Sequence, residues 1–155
     1  MASDVKFAIK DSVQKQLLTP VTVSDELKDE FIRKSRSSSW KLLPVSIIFS
    51  AVVLVIVFLI IYFLNRLFIS VLGLIAVFMP FFAVYNIFAT AKAIKNQDYE
   101  FVSGQITGKN DNGYQVAGLE GHNIHPFIGR KEYNPGEQVI VARLNSDLNL
   151  ISEDR

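Results

Sequence analysis

The stretch that decides the fold runs from Val45 to Leu64 and reads VSIIFSAVVLVIVFLIIYFL. It carries no charged side chain over twenty consecutive positions. A helix rises about 1.5 Å per residue, so a stretch of this length covers roughly 30 Å, the thickness of the hydrocarbon core of a bilayer. We therefore interpret this stretch as a transmembrane helix.

A second apolar run follows from Leu67 to Ala89, and only Asn65 and Arg66 separate the two runs. One continuous helix through both runs would be far longer than a bilayer is thick. The pattern therefore predicts a two-helix transmembrane hairpin over residues 44–95, with the polar pair at its turn. Pro80 is compatible with this hairpin, because membrane helices tolerate a proline that a neighbouring helix covers.

Positive charge collects at the outer ends of the two apolar runs. A basic linker from Arg33 to Lys41 precedes the first run, Lys92 and Lys95 follow the second, and the turn carries only Arg66. By the positive-inside rule, this pattern places both termini in the cytoplasm. We predict a multi-pass protein of a bacterial inner (cytoplasmic) membrane. The predicted membrane-interface residues are Arg33, Lys34, Arg36, Trp40, Lys41, Arg66, Lys92 and Lys95.

Residues 1–43 predict a cytoplasmic region with two short amphipathic helices. Ser3 suits the N-cap of the first helix, which Thr19-Pro20 ends, and Ser24 suits the N-cap of a second helix that reaches Phe31. Two interpretations are open: the helices pack on the rest of the protein, or the first lies on the membrane surface. Acids between the lysines disfavour the second, because interfacial helices usually carry a clean basic face. The apolar stripe of the first helix is Val5, Ile9, Val13 and Leu17.

From residue 98 to residue 152 the apolar spacing changes to two, which is typical of strands. Asn110–Gly113 predicts a hairpin turn, because Asn, Asp and Gly tolerate the positive φ that such turns need. Pro135-Gly136 predicts another turn. About five short strands in this span predict a small all-β barrel of the OB-like or SH3-like type. The predicted strands cover residues 99–107, 114–117, 123–128, 137–144 and 148–152.

The composition excludes several kinds of site. The chain has no cysteine, so disulfides, thiolate catalysis and cysteine-based zinc sites are excluded. His122 and His125 could bind a metal with Glu120 as a third ligand, but a closed site usually has four ligands and no helix sets the spacing here. We predict no metal, no cofactor and no catalytic residue, and hence a protein that is not an enzyme.

The charge of the C-terminal region bears on its partners. Residues 98–155 carry five bases against nine acids, a formal charge of −4. An acidic barrel is a poor binder of phosphates, so nucleic acid is not an expected partner. The expected partners are the lipid bilayer and other protein chains, including copies of this one.

Several short features of the barrel region occur together: a glycine in the first strand, two turns and a closing Leu-Asn-Leu. They are Gly104, Asn112-Gly113-Tyr114, Pro135-Gly136-Glu137 before Val139-Ile140-Val141, and Leu148-Asn149-Leu150. With hydrophobic spans before it, this region resembles the NfeD-type membrane proteins, although it lacks the tryptophan often found in the middle of their barrel. The resemblance implies an OB-like fold and a non-catalytic partner of membrane scaffolding proteins. It implies no site residues.

The predicted function is that of a non-catalytic membrane scaffold or adaptor whose cytoplasmic barrel mediates protein–protein assembly. Few residues separate the second apolar run from the first strand, so we expect the barrel to lie close to the membrane. Arg130 and Lys131, in a loop that we expect to be exposed, are the predicted contact residues. Two alternatives are open: an accessory subunit of a transport or secretion complex, and a membrane-tethered barrel that binds a ligand or nucleic acid.

Overall fold

The structure, a computed structural model, describes residues 2–64 and 70–153, with side chains described for residues 4–62 and 73–153. These residues form three helices and six strands. The predicted turn at Asn65 and Arg66 lies outside them. The elements are α1 (Ala2–Gln14), β1 (Thr19–Pro20), α2 (Asp25–Leu64), α3 (Ser70–Lys95), β2 (Tyr99–Asn110), β3 (Gly113–Val116), β4 (His125–Ile128), β5 (Gln138–Leu144) and β6 (Asp147–Ile151).

The chain divides into two compact units. The sheet unit comprises Met1–Ile32 and Ala93–Arg155, and the helix-pair unit comprises Arg33–Lys92. The sheet unit is therefore assembled from two parts of the sequence that the helix-pair unit separates.

The strands of the sheet unit form one mixed sheet in the order β1-β2-β5-β6-β4, with β3 paired to the second half of β2. β4 and β6 run parallel, and the other strand pairs are antiparallel. Each predicted strand is present within a few residues of its predicted bounds. The prediction of a closed barrel is wrong. β3 and β4 have only four residues each, and a single isolated bridge from Tyr114 to Ile124 stands where a closed barrel would need a continuous ladder.

Two glycines show why β2 and its turn need this sequence. Gly113 is the last residue of the predicted hairpin turn and has a φ of 132°, a backbone conformation that residues other than glycine rarely adopt. Asn110 closes the same turn, because its Oδ1 accepts the backbone N–H of Asn112 at 3.0 Å. Gly104 instead makes room for packing, since a Cβ there would lie 2.5 Å from Cδ2 of Leu18.

The sheet buries apolar side chains on both of its faces. Along β5, Val139 and Val141 enter one apolar cluster, while Ala142 and Leu144 enter a second. A central strand that is covered on both faces is expected to be apolar throughout. Two residues of β5 depart from this pattern: Gln138 is exposed at the start of the strand, and Arg143 is buried inside it.

The N-terminal helices cover these two clusters, so the interpretation that they pack on the rest of the protein is confirmed within the sheet unit. Ile9 of α1 is fully buried in the first cluster. Phe31, near the start of α2, is fully buried in the second, with its ring centroid 5.7 Å from that of Phe101 and 5.9 Å from that of Phe127. Both aromatic pairs are edge-on, the arrangement that ring quadrupoles favour.

The predicted stripe of α1 is correct except at its end. Val5 and Ile9 are buried, but Leu17 is 46% exposed and Leu18 is buried in its place. The reason is that α1 ends at Gln14, so the helical spacing of four does not continue to residue 17.

α2 is a single helix of 40 residues. Ser24 caps it at the predicted position, because its Oγ accepts the backbone N–H of Leu27 at 3.4 Å. The prediction of a separate short helix that reaches Phe31 is wrong, since the helix continues to Leu64. The prediction of a separate linker over residues 33–41 is wrong, since this segment continues the helix. Serine does not break a helix as glycine or proline does, and the hydroxyl of Ser39 donates to the carbonyl of Ser35 one turn earlier at 3.1 Å.

Within the helix-pair unit, α2 and α3 lie side by side and antiparallel. Near one end, the hydroxyls of Ser39 and Thr90 share a hydrogen bond of 2.9 Å. Further along, buried Ser50 donates to the carbonyl of Ala76 at 2.5 Å. Small side chains at such contacts let two helices approach closely.

Candidate membrane and interaction surfaces

The helix-pair unit exposes the apolar side chains that a soluble helix would bury. Ile48 is 64% exposed, and Phe58 and Phe81 are each 67% exposed. Among the described residues, two helices are long and apolar enough to cross a membrane, Asp25–Tyr62 and Gly73–Lys95, and only 11% of the apolar window of each is buried. Contact with water raises the free energy by roughly 25 cal/mol for each Å² of exposed apolar area. This surface is therefore more stable in apolar surroundings.

Basic side chains lie together at one end of this helix pair. The hydrogen bond between Ser39 of α2 and Thr90 of α3 joins the two helices near this end of the helix-pair unit. Arg36 and Lys92 each lie within about one helical turn of this bond. We name this group the basic collar. Its members are the exposed residues Arg33, Lys34, Arg36, Lys41 and Lys92.

The remaining predicted interface residues are placed as follows. Trp40 lies on α2 between members of the collar and is 56% exposed. Lys95 is exposed but belongs to the sheet unit. Arg66 lies outside the described residues.

The two units carry opposite formal charge. The sequence from Arg33 to Lys92 has six bases and no Asp or Glu, which gives +6. All fifteen acids of the chain lie in the sheet unit with the other ten bases, which gives −5. The sequence of the helix-pair unit therefore carries basic charges only, and that of the sheet unit carries a net negative charge.

The predicted contact residues Arg130 and Lys131 lie in an exposed but well-anchored segment, which we name the 130–137 loop. Arg130 forms an ion pair within the loop, because its Nη2 lies 3.2 Å from Oε1 of Glu137. Its charge is therefore not fully available to a partner protein. The backbone N–H of Asn134, followed by its side chain and by Arg130, holds the pKa of Glu137 below its ordinary value. Beneath the loop, the hydroxyl of Tyr114 donates to the carbonyl of Lys131 at 3.5 Å. The loop thus presents exposed charges on a fixed backbone.

The structure also contains an ion-pair network that was not predicted from the sequence. The side chain of Arg143 is 3% exposed, and its Nη2 donates to Oδ1 of Asp98 at 2.8 Å. Its Nη1 donates to the carbonyl of Asn145 at 2.8 Å, and its Nε lies 3.5 Å from Oε2 of Glu100. The guanidinium holds the pKa of Asp98 below its ordinary value, and Lys6 of α1 adds to this at 3.5 Å. The network ties α1 to β2 and β5. An arginine inside an apolar strand was the signal that could have found it.

The histidines do not come together into a metal site. Among the residues described, no group of three or more His, Asp or Glu side chains is placed to hold a metal ion. Glu120 turns toward its own loop, where its Oε1 accepts the backbone N–H of Gly118 at 3.0 Å, and this bond holds the pKa of Glu120 below its ordinary value. His125 is exposed at the start of β4, and His122 is half-buried.

The sheet unit also has a polar groove of about 440 Å³ at the start of α2. Glu26, Glu30 and Glu153 line it, and Ser24 donates to Oε1 of Glu153 at 2.9 Å. Its acidic lining is unsuited to phosphate groups, in line with the charge of the whole unit.

Comparison with family models, with curated proteins and with solved structures finds no match to this chain. The resemblance to NfeD-type proteins therefore stays a prediction.

Proposed function

We propose that the protein is a non-catalytic membrane scaffold or adaptor, in which the helix pair embeds in the bilayer and the sheet unit binds a protein partner or a second copy. One observation carries the proposal: both helices keep their large apolar side chains exposed. On α2 this surface extends from Leu42 to Tyr62, about 21 residues or roughly 30 Å of helix. That length matches the hydrocarbon core of a bilayer.

The membrane in this proposal is a bacterial inner membrane, and both termini are cytoplasmic. The two parts of the sequence on either side of the helix pair fold into one sheet unit, which supports an even number of crossings. The basic collar supports a cytoplasmic location for the sheet unit, because Lys and Arg are enriched on the cytoplasmic side of membrane helices.

The proposed contact surface of the adaptor is the 130–137 loop. Its backbone is held by Tyr114 and by the carboxylate of Glu137, so little ordering remains to be done when a partner binds. Lys131 is exposed in this loop, and a partner of opposite charge can recognise its positive charge.

Charge reversal of Lys131 tests this proposal. Reversal of Arg130 is less clean, because it would also break the internal ion pair with Glu137. We expect Lys131→Glu to reduce the assembled fraction of the full chain several-fold on native gels in mild detergent, with membrane insertion unchanged. The matched control is Lys10→Glu, another exposed lysine of the sheet unit.

Two outcomes would contradict the proposal. Equal assembly of the two variants and the wild type would show that the loop is not the contact. Turnover of a substrate that depends on His122 or His125 would show that the protein is an enzyme. A pull-down separates the remaining alternatives, since one stoichiometric partner favours an accessory subunit and none favours self-assembly.

A further inference from the structure

We propose that the basic collar selects anionic phospholipid head groups, such as phosphatidylglycerol, over zwitterionic ones. The inference rests on the proposed insertion of the helix pair into a bilayer. It goes further because it names the class of lipid that the collar binds. The collar then recognises head groups in addition to setting the orientation of the helices in the membrane.

The placement of the collar along the helices supports a lipid head group as its partner. Ser39 and Thr90 fix one level of the pair, and at about 1.5 Å per residue Arg33 lies roughly 9 Å beyond Ser39. The head-group region of a leaflet is about 5–8 Å thick. Arg and Lys side chains reach several ångströms along such a boundary, so the whole collar falls within reach of the phosphates.

The helix-pair unit supplies no acid to the collar, because no Asp or Glu occurs from residue 33 to residue 92. The charges that support an anionic partner are those of Arg33, Arg36, Lys41 and Lys92. Clusters of four to eight Lys and Arg beside a membrane helix are typical of binding to anionic lipids.

Continuity with the apolar surface favours lipid over an acidic protein as the occupant. The exposed apolar surface of α2 begins at Leu42, directly after Lys41, and Trp40 lies at this boundary with 56% of its surface exposed. Tryptophan is enriched at the level of the head groups. A lipid molecule can cover the apolar surface with its chains and the collar with its phosphate at the same time.

Trp40 provides the experiment with its own fluorescent donor, because it is the only tryptophan of the chain. The full chain is reconstituted into mixed vesicles of phosphatidylcholine and phosphatidylglycerol that contain a trace of one pyrene-labelled lipid. Matched samples carry the label on phosphatidylglycerol or on phosphatidylcholine. Energy transfer from Trp40 then reports which head group concentrates at the collar.

We expect transfer to labelled phosphatidylglycerol to exceed transfer to labelled phosphatidylcholine by roughly two- to fivefold, since one basic residue near an anionic surface contributes a factor of roughly five. The excess should disappear at high salt and in the collar variant Arg36→Gln/Lys41→Gln/Lys92→Gln. It should persist in the matched variant Lys10→Gln/Lys15→Gln/Lys109→Gln, whose lysines are exposed in the sheet unit.

The failure of this inference is distinguishable from the failure of the proposed function. Equal transfer to both labels would overturn lipid selection and leave the membrane anchor in place, whereas no transfer to either label would overturn both. Selection that survives in the collar variant would also overturn the inference. So would equal transfer together with salt-sensitive cross-links from the collar to an acidic protein surface, which would identify the other class of partner.

Discussion

Phe31 and Phe58 lie on the same helix, α2, and have opposite surroundings. Phe31 is fully buried between the rings of Phe101 and Phe127 in the sheet unit, whereas Phe58 is 67% exposed in the helix-pair unit. The same contrast holds for charge, since the sheet unit is acidic and the helix-pair unit is exclusively basic. One part of the chain thus builds its own apolar interior, and the other depends on its environment to supply one.

The comparison shows that one continuous helix can bury its apolar side chains in a protein core at one end and leave them exposed further along. The first turns of α2 are stabilised by burial in a protein core, which contributes about 1.5–3 kcal/mol for each large side chain. The later turns gain nothing comparable from the chain itself. Substitutions should therefore have very different effects on the two sides of this division.

The largest expected effect is at Phe31. Phe31→Ala should destabilise the sheet unit by about 3–5 kcal/mol, because it removes a fully buried ring from the second cluster. Phe58→Ala, the matched change on the same helix, should lower the free energy of unfolding of the sheet unit by less than about 0.5 kcal/mol. Hydrogen exchange of the backbone amides of β5 measures both values. Equal loss of protection in the two variants would mean that the two units do not differ as described.

A smaller effect is expected at the ion-pair network. Arg143→Met should destabilise the sheet unit by about 1.5–2 kcal/mol at pH 7, because hydrogen bonds to charged groups contribute at this level and Asp98 is partly exposed to solvent. The lowered pKa of Asp98 means that its contribution is complete above the unfolded value near 3.8 and is lost as the pH falls through the folded value. The difference between variant and wild type should therefore shrink in acid.

Denaturant titrations at pH 7 and in acid measure this difference. Arg130→Met is the control, since its ion pair with Glu137 is exposed and should contribute no more than about 1 kcal/mol. A cost at Arg143 that is independent of pH would show that the arginine acts through packing and through Asn145 alone.

The smallest expected effect lies in the helix pair. Ser50→Ala removes the hydrogen bond to Ala76 and should weaken the association of α2 with α3 by about 0.6 kcal/mol, the average for such bonds between membrane helices. Ser46→Ala is the control, because Ser46 donates to Leu43 of its own helix. Thermal unfolding of the full chain in detergent compares them. An equal loss in the two variants would argue against Ser50 as a contact between the helices.

Local patterns allowed much of the fold to be predicted. Apolar runs without charge gave the two long helices, and alternation with Asn-Gly and Pro-Gly turns gave the strands. The prediction of a closed barrel was wrong because closure depends on a continuous ladder between β3 and β4, and the alternation within two such short strands does not report whether they pair with each other. The burial of Leu18 in place of Leu17 depended on where α1 ends, and helix ends are the least predictable feature of a helix.

The candidate surfaces were predictable to the extent that they are continuous in sequence. The collar follows from basic residues that flank apolar runs, so its members could be named in advance. The pairing of Arg143 with Asp98 joins residues 45 positions apart. Only the antiparallel pairing of β2 with β5 brings these two side chains together, and that pairing could not be read from either segment alone.

The division of the sheet unit into two parts of the sequence has a consequence for biosynthesis. On the ribosome, α1 and β1 emerge before the helix pair, and their partners in β2 and β5 emerge after it. Contacts of such long sequence separation form slowly, since the intervening chain must close a large loop first. The apolar face of α1, with Ile9 at its centre, therefore stays without the strands that bury it until the helix pair has been synthesised.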